Sequence, residues 1–266
     1  MITASLGRLN TFHFQIFQDQ PHLVHFTTSR EEPNGFNLGV YGDEDPLEAR
    51  RNRDQLAAAL GISGEKLLFT RQVHGSEFRL IDKNFFLLTA EERNKSLDGV
   101  DALITAMPGV CLCALAADCS QVLLYDPQQR VIATVHAGWR GTVNKLVCRV
   151  IEKMQMEFGC LPAEILAGIG PCISGRNYEV GEEVAAVFEE QFGLNEKIIL
   201  RKKEYPKTHV DIPAALRFSM QEMGIQPKHI EESGICTYDN ADHFYSARRG
   251  AAGRFSSGLI MQDMKR

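Results

Sequence analysis

The chain reads as a single α/β domain of the mixed-sheet, α+β kind. Three observations predict this. Its 266 residues are enough to bury a large core and fit one large domain or two small ones. Strand-like apolar runs and amphipathic segments alternate irregularly, with strands in clusters, which favours mixed sheets over a regular βαβ succession. No repeat, low-complexity tract or linker interrupts residues 1–266.

Taken in order, residues 12–28 suggest two strands split by a Gln-Pro turn. Residues 29–46 are loop-forming, rich in Pro, Asn and Gly. Asp45-Pro46 opens a helix with apolar Leu47, Leu56, Ala57 and Leu60, and Gly61 caps its end. Residues 67–69 begin a strand, for which Phe78, Leu80 and Ile81 look like the partner. Residues 85–99 read as a loop or short helix. Apolar runs at 100–105, 110–116, 122–125 and 131–135 read as strands. Thr142 is placed to cap a helix over 143–158, where Leu146, Val147, Val150, Ile151 and Met154 recur at helical spacing. A strand at 165–169 follows, then a helix presenting Val184, Val187 and Phe188. After a short strand at 208–210, a helix starts at Asp211-Ile212-Pro213 and closes at Gly224. Residues 230–236 and the apolar end of the tail complete the strands.

Hydrophobic residues at 44% and charged residues at 24% are ordinary for a globular protein. The formal net charge of -5 argues against a general binder of nucleic acid or anionic membrane. No apolar run approaches the roughly 20 residues of a membrane helix, and the first residues lack a signal-peptide pattern. Seven cysteines scattered through a core-forming chain suit reduced thiols and a cytoplasmic setting. Most of Cys111, Cys113, Cys148, Cys160 and Cys236 then serve as small buried hydrophobes. Oligomeric state stays open between monomer and homodimer.

Chemistry concentrates at strand ends. His74, Cys119 and His136 each end or follow an apolar strand beside a glycine or small residue. Two imidazoles and a thiolate suit Zn²⁺, with a fourth position open to water or substrate; the same set suits copper. Spacing this long does not prove that they meet, and a turn histidine is an equally ordinary reading of His74. Cys119 or Cys172 could alternatively be the nucleophile of a Cys/His hydrolase, Cys172 being activated by a helix N-terminus. Arg140 and the Arg248-Arg249 pair could hold an anion such as phosphate, or simply face solvent. Asn37-Leu38-Gly39 could let backbone approach a ligand.

The runs Arg71-Gln72-Val73-His74-Gly75, Asp101-Ala102-Leu103-Ile104-Thr105, Ala117-Asp118-Cys119, His136-Ala137-Gly138-Trp139-Arg140-Gly141-Thr142, Gly170-Pro171-Cys172-Ile173, Tyr178-Glu179-Val180 and Phe244-Tyr245-Ser246-Ala247-Arg248-Arg249 occur in this order. Together they resemble the YfiH/laccase-domain family, also called multicopper polyphenol oxidase-like or purine nucleoside phosphorylase proteins. The resemblance implies mixed sheets flanked by helices and a metal site, usually zinc, on His74, Cys119 and His136. It implies phosphorolysis of adenosine, inosine, guanosine and methylthioadenosine to base and pentose 1-phosphate, with adenosine deamination as a second activity. Copper-dependent polyphenol oxidation is the alternative, and a non-catalytic metal-binding partner protein a third class. Within that frame Cys119, His136, Arg140 and Cys172 are catalytic candidates, and Asn37, Arg71, Asp118 and Arg248 candidates for substrate contact. The chain departs from the family pattern at Gln121, Gly250 and Ala252, none of them an expected metal ligand.

Overall fold

The computed structural model describes residues 1–30, 35–40, 46–203 and 205–263. Asp45, the expected start of the first helix, lies outside them. Two six-stranded sheets face each other. The first has the order β1 (Ile2–Leu6), β2 (Leu9–His13), β3 (Leu23–Thr28), β14 (Phe255–Met261), β7 (Cys111–Ala116) and β4 (Leu67–Leu68). The second runs β13 (Ile230–Glu232), β10 (Leu166–Ile169), β8 (Ser120–Asp126), β9 (Val131–Ala137), β6 (Ala102–Thr105) and β5 (Phe78–Leu80). A two-stranded ribbon, β11 (Ile199–Leu200) and β12 (His209–Val210), stands apart.

The two-residue side-chain period of a strand explains the layering. In β7, Cys111, Cys113 and Leu115 pack outward with Leu56 and Ala57 of α1 (Pro46–Leu60). Leu112 points inward, to Leu123 and Tyr125 of β8. In β8 the alternate residues Val122 and Leu124 meet the helices on the far side. Both strands are buried on both faces, which is why 110–116 and 122–125 read as apolar runs. The far helices are α4 (Leu146–Phe158), α5 (Glu182–Phe192) and α6 (Ile212–Glu222). In α4, Val147, Val150, Ile151 and Met154 are all buried at helical spacing. Each such side chain contributes about 1.5–3 kcal/mol through removal from water. Helices thus flank mixed sheets, as the sequence implied.

Several local readings are corrected. Residues 78–80 do not partner residues 67–68. β4 pairs with β7 in the first sheet, whereas β5 pairs with β6 in the second. The chain changes sheet between them, and the loop that crosses carries His74. Thr142 is not a helix cap. Gly138 caps the short α3 (Trp139–Val143), and Thr142 lies inside it, its hydroxyl donating to the Gly138 carbonyl at 2.9 Å. α4 starts afresh after Lys145, which takes a left-handed conformation. The expected strand over 230–236 is only β13. Residues 85–99 do hold a short helix, α2 (Ala90–Ser96), with Thr89 and Glu92 capping reciprocally. The hairpin β1–β2 went unread, since its first strand is largely exposed.

β14 places the tail. It lies between β3 and β7, with Phe255 opposite Ala116. The residues just before it are therefore delivered to the strand end where Asp118 and Cys119 stand.

Candidate metal centre and its cleft

Three loops converge at one end of the sandwich. The turn Ala117-Asp118-Cys119 takes the chain from β7 in one sheet to β8 in the other. Asp118 has φ of 88°, a left-handed value that the sharp reversal requires. β8 and β9 are antiparallel, pairing Gln121 with His136 and Ser120 with Ala137, so Cys119 meets the end of β9. His74, at φ 59°, comes from the loop between β4 and β5.

The ligand atoms of His74, Cys119 and His136 all lie within 4.8 Å of one another. The edge of a tetrahedron drawn at zinc–ligand distances is roughly 3.5 Å, so small adjustments close the set on one ion. The two imidazoles meet edge to face, 4.9 Å between centroids. A Cβ at Gly138 would lie 3.1 Å from Cys119 Sγ and 3.1 Å from His74 Cδ2. Only a glycine leaves the three ligands their present spacing. The residues fit a metal ion of the zinc or copper type.

Electrostatics agree. Burial opposes ionisation of the Cys119 thiol, but the charge of His136 and hydrogen bonds from both imidazoles outweigh it, holding the pKa down to about 6. For His136 burial again works against the charge, and the Cys119 thiolate and the Asp101 carboxylate overcome it, raising the pKa to about 9. A ready thiolate is what a soft metal ligand needs. Asp101 accepts from His136 Nδ1 at 2.8 Å. Its own carboxyl, pushed up by burial, is brought below the ordinary value by His136 and by N–H groups of the 73–75 loop.

The cluster forms the floor of a cleft of 570 Å³. Leu115, Ala117, Ile173 and the Tyr178 ring supply apolar wall, and Arg248 and Arg254 supply positive charge. Gln72 braces the His74 loop by pairing both ways with the backbone of Leu115, at 2.8 and 2.7 Å. Asp118 anchors the tail. Its carboxylate accepts from Thr237 Oγ1 at 2.6 Å, Ser246 Oγ at 2.9 Å and the Arg248 N–H at 2.7 Å.

The nominated residues divide accordingly. His74, Cys119, His136, Asp118 and Arg248 all line the cleft; Asn37, Arg71, Arg140 and Cys172 are not among its lining. Asn37 Oδ1 accepts from the N–H groups of Gly39 and Arg254, both at 2.8 Å, so it ties two loops together behind the wall. Arg71 pairs with Asp98 at 3.1 Å on the surface. Arg140 lies over the Trp139 ring, 4.4 Å from its centroid. Arg249 spends its guanidinium on the carbonyls of Thr237, Tyr238 and Phe244. No helix starts at Cys172. It is buried beside Cys236, and burial, then the charge of Asp211, pushes its thiol well above the ordinary value. A raised pKa disfavours the thiolate that a nucleophile needs. Asp101, Tyr178 and Arg254 were not given roles from the sequence. Asp101 and Tyr178 stood inside recognised motifs, and Arg254 stood in the Gly253-Arg254 pair that ends the family resemblance.

The family described as "Multi-copper polyphenol oxidoreductase laccase" matches residues 24–262. The chain belongs to this family. It is 36% identical over 256 residues, 93% of this chain and 95% of the relative, to a protein of Bacteroides thetaiotaomicron named purine nucleoside phosphorylase. It is 36% identical, covering 83% of this chain and 84% of the relative, to adenosine deaminase RL5 of an unknown prokaryotic organism. The solved structure of the Bacillus licheniformis hypothetical protein YfiH superposes with a TM-score of 0.80 at 25% identity, over 92% of this chain and 95% of that one. This family's fold is therefore the fold of the chain. Among the described residues no helix is long and apolar enough to cross a membrane. The seven cysteines are free, and six of them are buried.

Proposed function

We propose that the protein is a zinc-dependent enzyme of purine nucleosides. It cleaves the glycosidic bond with phosphate, giving the base and a pentose 1-phosphate, and deaminates adenosine as a second reaction. The observation that carries this reading is the His74–Cys119–His136 cluster opening into a cleft flanked by two arginines. The names borne by relatives at 36% identity support the substrate class.

The dimensions suit a nucleoside, since small-molecule sites run to roughly 300–1,000 Å³. The apolar strip of Leu115, Ala117 and Ile173, with the Tyr178 ring, suits the faces of a purine. Burial, then the charge of Cys119, pushes the Tyr178 hydroxyl up to about 12, so it remains a neutral donor. Phosphorolysis builds positive charge on the sugar as the C1′–N9 bond breaks. The attacking phosphate must then be held close to C1′, and Arg248 and Arg254 are the cleft's cations for that task. Arg140 supplies further positive charge near Tyr178. When bound, the Zn²⁺ supplies Lewis acidity at the one coordination position that His74, Cys119 and His136 leave open.

The family description favours a second reading, copper-dependent oxidation of phenols, and the two-His, one-Cys donor set also suits copper. Against it, several copper centres need several ligand clusters, and one such cluster is found among the described residues. The deciding experiment incubates purified protein of measured metal content with adenosine, with and without phosphate, and follows release of adenine and inosine. Phosphate-dependent adenine release is expected. Oxygen consumption with a phenol after copper loading, in the absence of base release, would replace this reading with the second; no turnover by the zinc-loaded protein would leave a metal-binding partner protein.

A further inference from the structure

Asp101 stands directly before β6, and its side chain is fully shielded from solvent. Both carboxylate oxygens are committed. Oδ1 accepts from His136 Nδ1 at 2.8 Å and from the His74 N–H at 3.0 Å. Oδ2 accepts from the N–H groups of Gly75 at 2.8 Å and Val73 at 3.3 Å. Its backbone carbonyl takes the His136 N–H at 2.8 Å. One residue thus grips both imidazole ligands by different handles, the ring of one and the backbone of the other.

Each handle has a consequence. A proton held on Nδ1 of His136 leaves Nε2 with the lone pair that a ligand must offer. The left-handed conformation of His74 is unfavourable for a non-glycine residue and persists only where surroundings over-determine it. Three consecutive N–H groups on one carboxylate supply that constraint.

We propose that Asp101 is the positioning residue of the metal centre, setting the tautomer of His136 and the turn that presents His74 with one carboxylate. The proposal rests on reading the cluster as a metal site. It does not require Asp101 to touch substrate.

Asparagine separates positioning from bulk. Asp101→Asn keeps the shape but has one acceptor where two are used. With the amide nitrogen toward His136, the ring loses its Nδ1–H partner; with it toward the loop, the turn loses its anchor. Asp126→Asn is the control. Asp126 is equally buried, accepts two backbone N–H groups of its own turn, at 2.8 and 2.9 Å, and lies at the opposite end of β8.

Zinc affinity is measured by competition with a chromophoric chelator, and imidazole tautomers by ¹H–¹⁵N spectra of the wild type and both variants. Asp101→Asn is expected to bind zinc roughly 10–100-fold more weakly, and Asp126→Asn as the wild type does. The wild-type spectrum is expected to show His136 protonated on Nδ1. Zinc affinity unchanged by Asp101→Asn would overturn the proposal, as would a wild-type His136 with no proton on Nδ1, which needs no variant to fold. If the wild type binds no zinc yet the Nδ1–H signal of His136 shifts or disappears in Asp101→Asn, Asp101 still orients His136 and it is the metal reading that falls.

Discussion

His25 and His136 are buried to the same extent, 4% and 3% exposed, yet their rings are driven in opposite directions. His25 lies in β3 against Phe14 and Phe17. Burial, then the charge of His13, pulls its pKa down to about 3 against the opposing hydrogen bond to Phe14. Its Nε2 accepts the Phe14 N–H at 3.0 Å, so it serves as a neutral packing group. His136 experiences comparable burial but faces a thiol and a carboxylate, and its pKa rises to about 9. Burial by itself removes charge from a histidine; charged partners gathered from elsewhere in the chain restore it. The difference between a core histidine and a site histidine lies in what the tertiary structure sets beside it.

The largest expected effect cuts the charged side of this contrast. His136→Ala should remove metal and turnover together, by more than the roughly 100-fold that outer partners of metal ligands control. Metal analysis and the phosphorolysis assay on the same sample check it. Full phosphorolysis by a metal-free His136→Ala protein would end the proposed mechanism.

An intermediate effect comes from two glycines, one in each region. Gly138→Ala presses a methyl against Cys119 Sγ and His74 Cδ2, while its φ of -72° suits alanine. Zinc affinity should fall about tenfold, with a stability cost below about 1 kcal/mol. Gly168→Ala instead drives a methyl into the Phe14 ring, 2.9 Å away, on the His25 side. Stability should fall by about 1–3 kcal/mol, as overpacking does, with zinc affinity unchanged. Chemical denaturation and chelator competition on both variants test the crossing. A Gly138→Ala protein that binds zinc normally would show that the ligand cradle has slack.

The last test concerns pH. The folded pKa of His25 is depressed below its unfolded value near 6.5. The unfolded chain therefore takes up a proton first as pH falls, and stability is lost from about pH 6.5 down toward about pH 3, by up to about 1.4 kcal/mol per unit. His25→Gln keeps an acceptor for Phe14 but cannot titrate. Its stability should decline less steeply than the wild type's between pH 6.5 and 4, as followed by urea melts; parallel slopes would mean that His25 titrates alike in both states.

Most strands and helices were legible because burial leaves a period in the sequence. β7, β8 and β9 are buried throughout and apolar over most of their length since both faces are covered, and α4 repeats its buried residues every three or four positions. The Asp211 cap of α6 was legible for the same local reason, and its carboxylate does accept the Ala214 N–H at 2.9 Å. Strand partnership was another matter. Residues 67–68 and 78–80 are short apolar runs that fit either sheet, and only the full set of neighbours assigns them to different ones. The metal ligands were nameable by residue type and strand-end position. The cleft's arginines were nameable only in part: Arg248 was named and lines the cleft, but a place in a motif does not set direction. Arg140 follows His136 closely, yet its helix carries it over Trp139. Arg254, assigned no role from the sequence, is swung into the cleft wall by the pairing of β14 with β7.

By itself, then, the sequence determined which segments are buried, where some helices begin or end, and which side chains have the chemistry to hold a metal. Period, capping and donor type are local properties, written within a few residues of one another. Tertiary structure alone decided that three distant loops close on one point, that Asp101 grips both imidazoles, that Cys172 is buried outside the cleft lining, and that Arg248 and Arg254 face the cleft. Those outcomes depend on strand order and register, which emerge when whole faces pack together and which no short stretch encodes.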